Sequence, residues 1–231
     1  MFFNYLNISS FNMTIMKNYL SKEYLEVLDK KYLFNKDKYL SGGGRILLRY
    51  ILAKLSIEDY IISIDDNGKP FLLSHPNIHF NISHSGDLVL IGVSDKSIGV
   101  DIEKIQDLDY IGISKHFFHN REYAKISNTD SINVFFKIWT LKESYVKMNG
   151  TGLTDLKSFV VDIDKNLILD CVNTGKNNSV KGLVSNQNLN LNSLLLDKEY
   201  YVGVCSTGVD TIDRPREVLL SDISSQLNVI D

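Results

Sequence analysis

Asp101 and Glu103 stand two apart in the stretch Ile98-Gly99-Val100-Asp101-Ile102-Glu103-Lys104. The stretch follows an alternating apolar run and reads as a strand. Side chains two apart in a strand share a face, so both acids point one way and Val100 and Ile102 the other. Neighbouring carboxylates repel unless a cation stands between them, and a hard divalent metal with oxygen ligands meets that need. The plainer reading is a strand end with both acids in water. Glu143 adds a third carboxylate, one helical turn before Lys147. That spacing alone gives an exposed ion pair worth a few tenths of a kcal/mol.

Other groups point to anions. His84 lies between Ser83 and Ser85 at the entry to a strand, where it serves either as a structural hydrogen-bonding group or as an anion ligand. Lys22, Lys30, Lys31, Lys36 and Lys38 form either a solvated helix face or part of a phosphate site. Ser41-Gly42-Gly43-Gly44 precedes a helical pattern. Three glycines there allow either backbone approach to a phosphate at a helix N-terminus or close helix packing. The Gly-Lys-Ser/Thr ending of a P-loop is absent. Gly68-Lys69-Pro70 reads as a hairpin turn, with Asn67-Gly68 supplying positive φ.

Several elements must position these groups. Residues 2–16 have a β-like composition and predict one or two strands. Leu25, Leu28 and Tyr32 predict a helix from Ser21 to Tyr32. Another follows from Arg45, with strands at Ile61–Ile64 and Asp87–Val93. The last of these is expected to form a hairpin with Ile98–Glu103 across Ser94-Asp95-Lys96-Ser97. Leu108–Ser127 reads as helical and aromatic. In the longest helix, 131–148, Phe135, Ile138, Trp139, Lys142, Tyr145 and Val146 fall three and four apart, Trp139 being expected in the core, and Gly150 is the stop. Strands are expected at Phe159–Ile163 and Tyr200–Cys205, weaker ones between Lys165 and Leu196, and a loop beyond Asp210. The order predicts an α+β protein of two halves with similar plan, 1–104 and 105–231, and not a doubly wound sheet.

The 231 residues suffice for one large domain or two smaller ones, and 44% hydrophobic with 23% charged residues is ordinary globular material. A formal net charge of −3 gives no sign of nucleic acid as a partner. Cys171 and Cys205 lie far apart without ligand spacing, which argues against a disulfide framework and for a reducing compartment. The apolar start lacks a positive n-region and a small-residue cleavage site, and no stretch is long enough to span a bilayer. A cytoplasmic protein is expected.

Three stretches, in order and spacing, carry a resemblance. They are Gly68-Lys69-Pro70 with Phe80-Asn81-Ile82-Ser83-His84-Ser85, then Gly99-Val100-Asp101-Ile102-Glu103, then Trp139-Thr140-Leu141-Lys142-Glu143-Ser144-Tyr145-Val146-Lys147. Together they closely resemble the 4′-phosphopantetheinyl transferases of the surfactin-synthetase-activating (Sfp-like) type. The resemblance implies a pseudo-twofold pair of α+β halves, each an antiparallel sheet packed with helices, with the active site in the cleft between them. It implies Mg²⁺-dependent transfer of the 4′-phosphopantetheine arm of coenzyme A to a serine of an apo carrier protein, releasing adenosine 3′,5′-bisphosphate. It further implies a monomer with neither nucleic acid nor membrane as partner.

Residue by residue, Asp101, Glu103 and Glu143 match the family's magnesium carboxylates. Ser83 and His84 match positions that hold the 3′-phosphate of coenzyme A, Lys69 and Pro70 match nucleotide-side contacts, and Ser41 matches a hydroxyl position. Lys147 matches a lysine near the pyrophosphate. The serine's proton goes to Glu143 or to a water on the metal. The chain departs from the family pattern at Leu25, Leu28 and Leu40, where some members carry basic residues, and the nearby lysines are the substitutes. Residues 112–125, with Lys115, Phe117, Phe118, Arg121 and Lys125, are either the carrier dock or a helical stretch whose aromatics are core and whose charges are solvated. The competing functions are a coenzyme A-binding module without catalysis and another Mg²⁺-dependent pyrophosphate-cleaving enzyme.

Overall fold

The structure is a computed structural model and describes residues 1–152, 156–170, 189–208 and 212–230. It divides into two units: Met1–Ser63, Pro70–Asp95 and Asp213–Asp231 form the first, and Ile64–Lys69 with Lys96–Ile212 the second.

In the first unit β1 (Phe2–Asn7) pairs antiparallel with β5 (Leu88–Ser94), and β5 with β4 (His79–Ser85). The sheet order is β11-β1-β5-β4, the two-residue β11 (Arg216–Glu217) lying parallel to β1. Central β5 is buried along its whole length, which its unbroken Leu88–Val93 apolar run dictates. After β1 the chain turns helical: α1 (Met13–Tyr19) starts at Asn12, whose side chain accepts from the Ile15 N–H. The one or two strands expected over 2–16 are therefore one strand and the start of a helix. Helix α2 (Lys22–Lys31) follows Ser21, which caps it.

Helix α3 (Asn35–Lys54) contains the triple glycine in its interior, not before its N-terminus. A Cβ on Gly42 would stand 2.0 Å from Met16 Cε, one on Gly43 2.9 Å from Ile8, and one on Gly44 3.1 Å from Ile82. Close packing on α1 and the sheet, not a phosphate cradle, accounts for the three glycines. The packing outweighs glycine's poor helix propensity of about 1 kcal/mol per residue. Core residues of this unit include Ile46, Leu47, Ile51, Val89, Ile91 and, from the C-terminal segment, Val218, Ile223 and Leu227. That segment forms β11 and α7 (Leu220–Gln226), where the sequence predicts a loop.

The hairpin of β2 (Ile62–Ile64) and β3 (Pro70–Leu72) turns through Asp65–Lys69, with Gly68 at φ 85°. The Asp65 carboxylate accepts from the N–H groups of Asn67 and Lys69 at 3.0 and 2.8 Å.

In the second unit β6 (Ile98–Lys104) does not form a hairpin with β5. It pairs antiparallel with β10 (Tyr200–Thr207), which pairs in turn with β9 (Leu189–Leu196). The expected hairpin fails because both long sides of β5 are already taken by β1 and β4. Thus β6, placed in the N-terminal half by the sequence, belongs with the second unit. Helix α6 (Ile132–Asn149) begins at Ser131, whose hydroxyl accepts from Val134 N, and ends at Gly150 with φ 68°. Before it come α4 (Tyr110–Phe117) and α5 (Asn120–Thr129), and after it the ribbon β7 (Phe159–Asp162) with β8 (Leu167–Asp170). Cys171 and most of the weak strand signal between Lys165 and Leu196 lie outside the described residues.

Aromatic packing joins the end of α4 to α6. Phe118 stacks on Phe135 at 5.6 Å, and Phe135 lies 5.7 Å from Trp139. Trp139 is half-buried at the margin of this cluster, where the sequence expects it in the core. Among the described residues no helix is long and apolar enough to cross a membrane.

Candidate active site

The acids are brought together by two glycines. In an antiparallel pair, residues opposite each other share a face. Gly203 is opposite Asp101, Cys205 opposite Gly99, and Tyr201 opposite Glu103. Gly99, Asp101 and Glu103 thus line the face that α6 covers. A Cβ on Gly99 would stand 1.9 Å from Ser144 O, and one on Gly203 2.3 Å from Thr140 O. Without side chains at these two points, helix backbone rests on sheet backbone, and the carboxylates of β6 meet the residues one turn along α6.

Asp101 is 2% exposed and Glu143 8%, while Glu103 is half-buried. This rules out the solvated strand end for Asp101. Lys147 Nζ donates to Asp101 Oδ1 at 2.6 Å, so its ion pair crosses from helix to strand instead of running along the helix. Glu143 Oε1 is buried and has no hydrogen-bond partner. Burial, then the charges of Asp101 and Glu103, push the Glu143 carboxyl up to about 7 against the pull of Lys147. A general base works best with an acidity near the operating pH, and Glu143 is tuned to neutrality.

The donor set suits a hard divalent cation in two respects. All three candidate ligands offer oxygen, and a buried, unpartnered carboxylate oxygen calls for a positive neighbour. The side chains are not gathered at ligand spacing: among the described residues no group of three His, Cys, Asp or Glu is close enough to hold a metal ion. Lys147 supplies the positive charge at Asp101.

Lys69 lies in the second unit, where its ammonium donates to Met148 O at 2.6 Å. Ser97 Oγ donates to the same carbonyl at 3.3 Å. Both satisfy a carbonyl in the last turn of α6. Burial pulls the pKa of the Lys69 ammonium below its ordinary value, with Asp65 opposing. The other predicted nucleotide residues lie in the first unit: Ser41 on α3, Pro70 at the start of β3, and Ser83 with His84 on β4. Ser83 is buried and His84 exposed. In the stretch 112–125, Lys115, Phe117 and Arg121 are exposed, whereas Phe118 is core and Lys125 is paired with Asp164.

Sequence reasoning passes over Glu122 and Lys142. Lys142 is fully buried and its Nζ bonds both Glu122 oxygens at 2.8 and 2.9 Å. Burial pushes the Glu122 carboxyl upward, against Lys142 and the N–H groups of Val161 and His119. The signal was a lysine in the apolar stripe of α6, which requires a buried counter-charge.

Comparison with known proteins gives a consistent set. The profile described as 4′-phosphopantetheinyl transferase superfamily matches residues 97–205, and that described as 4′-phosphopantetheinyl transferase, N-terminal, matches 9–96. The chain is similar to 4′-phosphopantetheinyl transferase gsp of Aneurinibacillus migulanus, 39% identical over 140 residues, 57% of each chain. It is 35% identical to 4′-phosphopantetheinyl transferase psf-1 of Bacillus pumilus, over 53% of this chain and 55% of that one. It is 33% identical to 4′-phosphopantetheinyl transferase Sfp of Bacillus subtilis (strain 168), over 57% of this chain and 62% of that one. The chain therefore spans between about half and two thirds of these relatives' length.

Proposed function

Because the chain belongs to the 4′-phosphopantetheinyl transferase superfamily, we propose that it transfers the 4′-phosphopantetheine arm of coenzyme A to a serine of an apo carrier protein. The observation that carries this reading is the meeting of buried Asp101 and Glu143 with half-buried Glu103 and Lys147 on the β6–α6 contact. Asp101, Glu103 and Glu143 would hold Mg²⁺, which when bound neutralises pyrophosphate charge and stabilises the leaving phosphate. Lys147, one turn from Glu143, adds a second positive charge to the same oxygens.

In the transfer the serine Oγ bonds to the phosphorus bearing the pantetheine arm. The bond from that phosphorus to the bridging oxygen breaks, and adenosine 3′,5′-bisphosphate departs with the electron pair. Glu143, whose Oε1 is buried without a hydrogen-bond partner among the described residues, takes the serine proton. Ser41, Lys69, Pro70, Ser83 and His84 serve the nucleotide end of coenzyme A, and exposed Phe117 with Lys115 and Arg121 meets the carrier. The chain acts as a cytoplasmic monomer. The two units are variants of one plan, since each sets a long helix on a mainly antiparallel sheet through glycines at the contact.

The test is mass spectrometry of apo carrier proteins incubated with the protein, coenzyme A and Mg²⁺. A gain of one phosphopantetheinyl group, lost in Asp101→Ala and Glu143→Ala variants that stay folded, is expected. No gain across a panel of peptidyl and acyl carriers refutes the reading.

A further inference from the structure

The Glu122–Lys142 pair is sealed, with side-chain exposures of 1% and 0%. Its bonds run in several directions. Lys142 Nζ donates to Glu122 Oε1 and Oε2 and to Phe159 O at 2.8 Å, and sits 4.0 Å from the Phe159 ring centre. Glu122 Oε1 also accepts from Val161 N at 2.8 Å, and Oε2 from His119 N at 3.0 Å. The middle of α6, the start of α5 and strand β7 are thereby tied to one point.

Stability alone does not explain this choice. A well-packed apolar pair of similar volume generally serves a fold as well as a buried ion pair or better. An apolar contact is also non-directional, so a helix held only by one can turn or slide on its sheet. Charge-assisted hydrogen bonds fix direction as well as distance. Glu143 is the next residue after Lys142, and Lys147 lies little more than a turn further on. A turn of about 20° moves a group some 5–6 Å from the helix axis by about 2 Å. A misplacement of about 1 Å can cost a hundredfold in rate.

We propose that Glu122 and Lys142 are positioning residues: their buried pair fixes the rotation of α6 and so sets Glu143 and Lys147 against Asp101. The inference rests on the transferase reading for its catalytic consequence, but the fixing of α6 is measurable without it.

The test is the double variant Glu122→Leu with Lys142→Met, which removes both charges together and leaves no buried unpaired ion. Expected are a protein that still unfolds cooperatively, with a Tm lowered by the lost bonds to Phe159 O, Val161 N and His119 N, a kcat for carrier modification at least tenfold lower with KM for coenzyme A within about threefold, and at least tenfold faster amide exchange over residues 140–147. A folded double variant with unchanged kcat overturns the proposal. If the double variant fails to fold, Lys142→Arg takes its place, since it keeps the charge but replaces the compact ammonium with a planar fork. A lowered kcat at unchanged Tm then supports the proposal, and an unchanged kcat overturns it. If the parent protein modifies no carrier, the transferase reading fails on its own account. Amide exchange over 140–147 then decides, unchanged exchange in the folded variant overturning the positioning role.

Discussion

Glu143 makes the stability of the metal-free protein fall as pH rises across the weakly acidic range. The residue is 8% exposed, and its carboxyl is pushed from 4.5 up to about 7. The folded group therefore holds its proton more tightly than the unfolded one. Unfolding releases that proton between about pH 4.5 and about pH 7, and stability declines with pH wherever the native state binds more protons. The contribution is fully present below the unfolded value, is lost as pH passes through the folded value, and is flat above it. At about 1.4 kcal/mol per pH unit, the interval from 4.5 to about 7 corresponds to about 3 kcal/mol. The assay is urea unfolding in EDTA across this range, with Glu143→Gln as the reference that cannot titrate. The parent should lose about 3 kcal/mol relative to the variant between the two ends of the range. A difference that stays flat with pH would refute the account of Glu143 as a buried carboxyl crowded by Asp101 and Glu103.

Lys147→Met removes the positive charge that holds the Glu143 carboxyl down, so a carbon-13 NMR titration should place Glu143 above its parent value; an unmoved titration contradicts the pull of Lys147 on Glu143. Gly99→Ala and Gly203→Ala put a Cβ 1.9 Å from Ser144 O and 2.3 Å from Thr140 O. Each should cost about 1–3 kcal/mol by forcing helix from sheet, and thermal unfolding at the parent temperature would show that the contact is looser than described. Lys69→Met removes the shorter of the two side-chain bonds to Met148 O found among the described residues and leaves the 3.3 Å bond from Ser97. Faster amide exchange in the last turn of α6 is expected, with a loss of about 1 kcal/mol; unchanged exchange would mean that Lys69 does not cap the helix.

The α6 helix was legible because its apolar spacing, Ser131 before it and Gly150 after it all agree. The chemistry-bearing types were legible too, since Asp101, Glu103, Glu143 and Lys147 stand on elements whose period fixes which face they share. Which strands pair was not. β5 is apolar along its length and β6 is apolar at Val100 and Ile102 on one face, and nothing local tells β6 that its partner is the far-off β10 rather than the adjacent strand. The triple glycine stayed open between two readings for a related reason: its meaning lies in Met16, Ile8 and Ile82, which only the fold brings near. The burial of Asp101 depends likewise on Gly203, a residue whose effect is the absence of a side chain.

The parallel pairing of β1 with β11 has a bearing on synthesis. Asn4 stands opposite Arg216 and Tyr5 opposite Glu217, Val218 N donates to Tyr5 O at 2.8 Å, and Ile230 N to Asn18 O at 2.8 Å. Arg49 closes on Asn228 O at 3.3 Å. A nascent chain that has made residues 1–95 therefore carries an open sheet edge and a core still lacking Val218, Ile223 and Leu227. The second unit, continuous from Lys96 to Ile212 apart from the tip of one hairpin, is translated in full before those residues appear. Vectorial folding is thus inverted: the later-made unit can close while the earlier one waits at the ribosome. The interval of exposure is set by translation speed, and it is there that a chaperone has an unfinished β1 edge to hold.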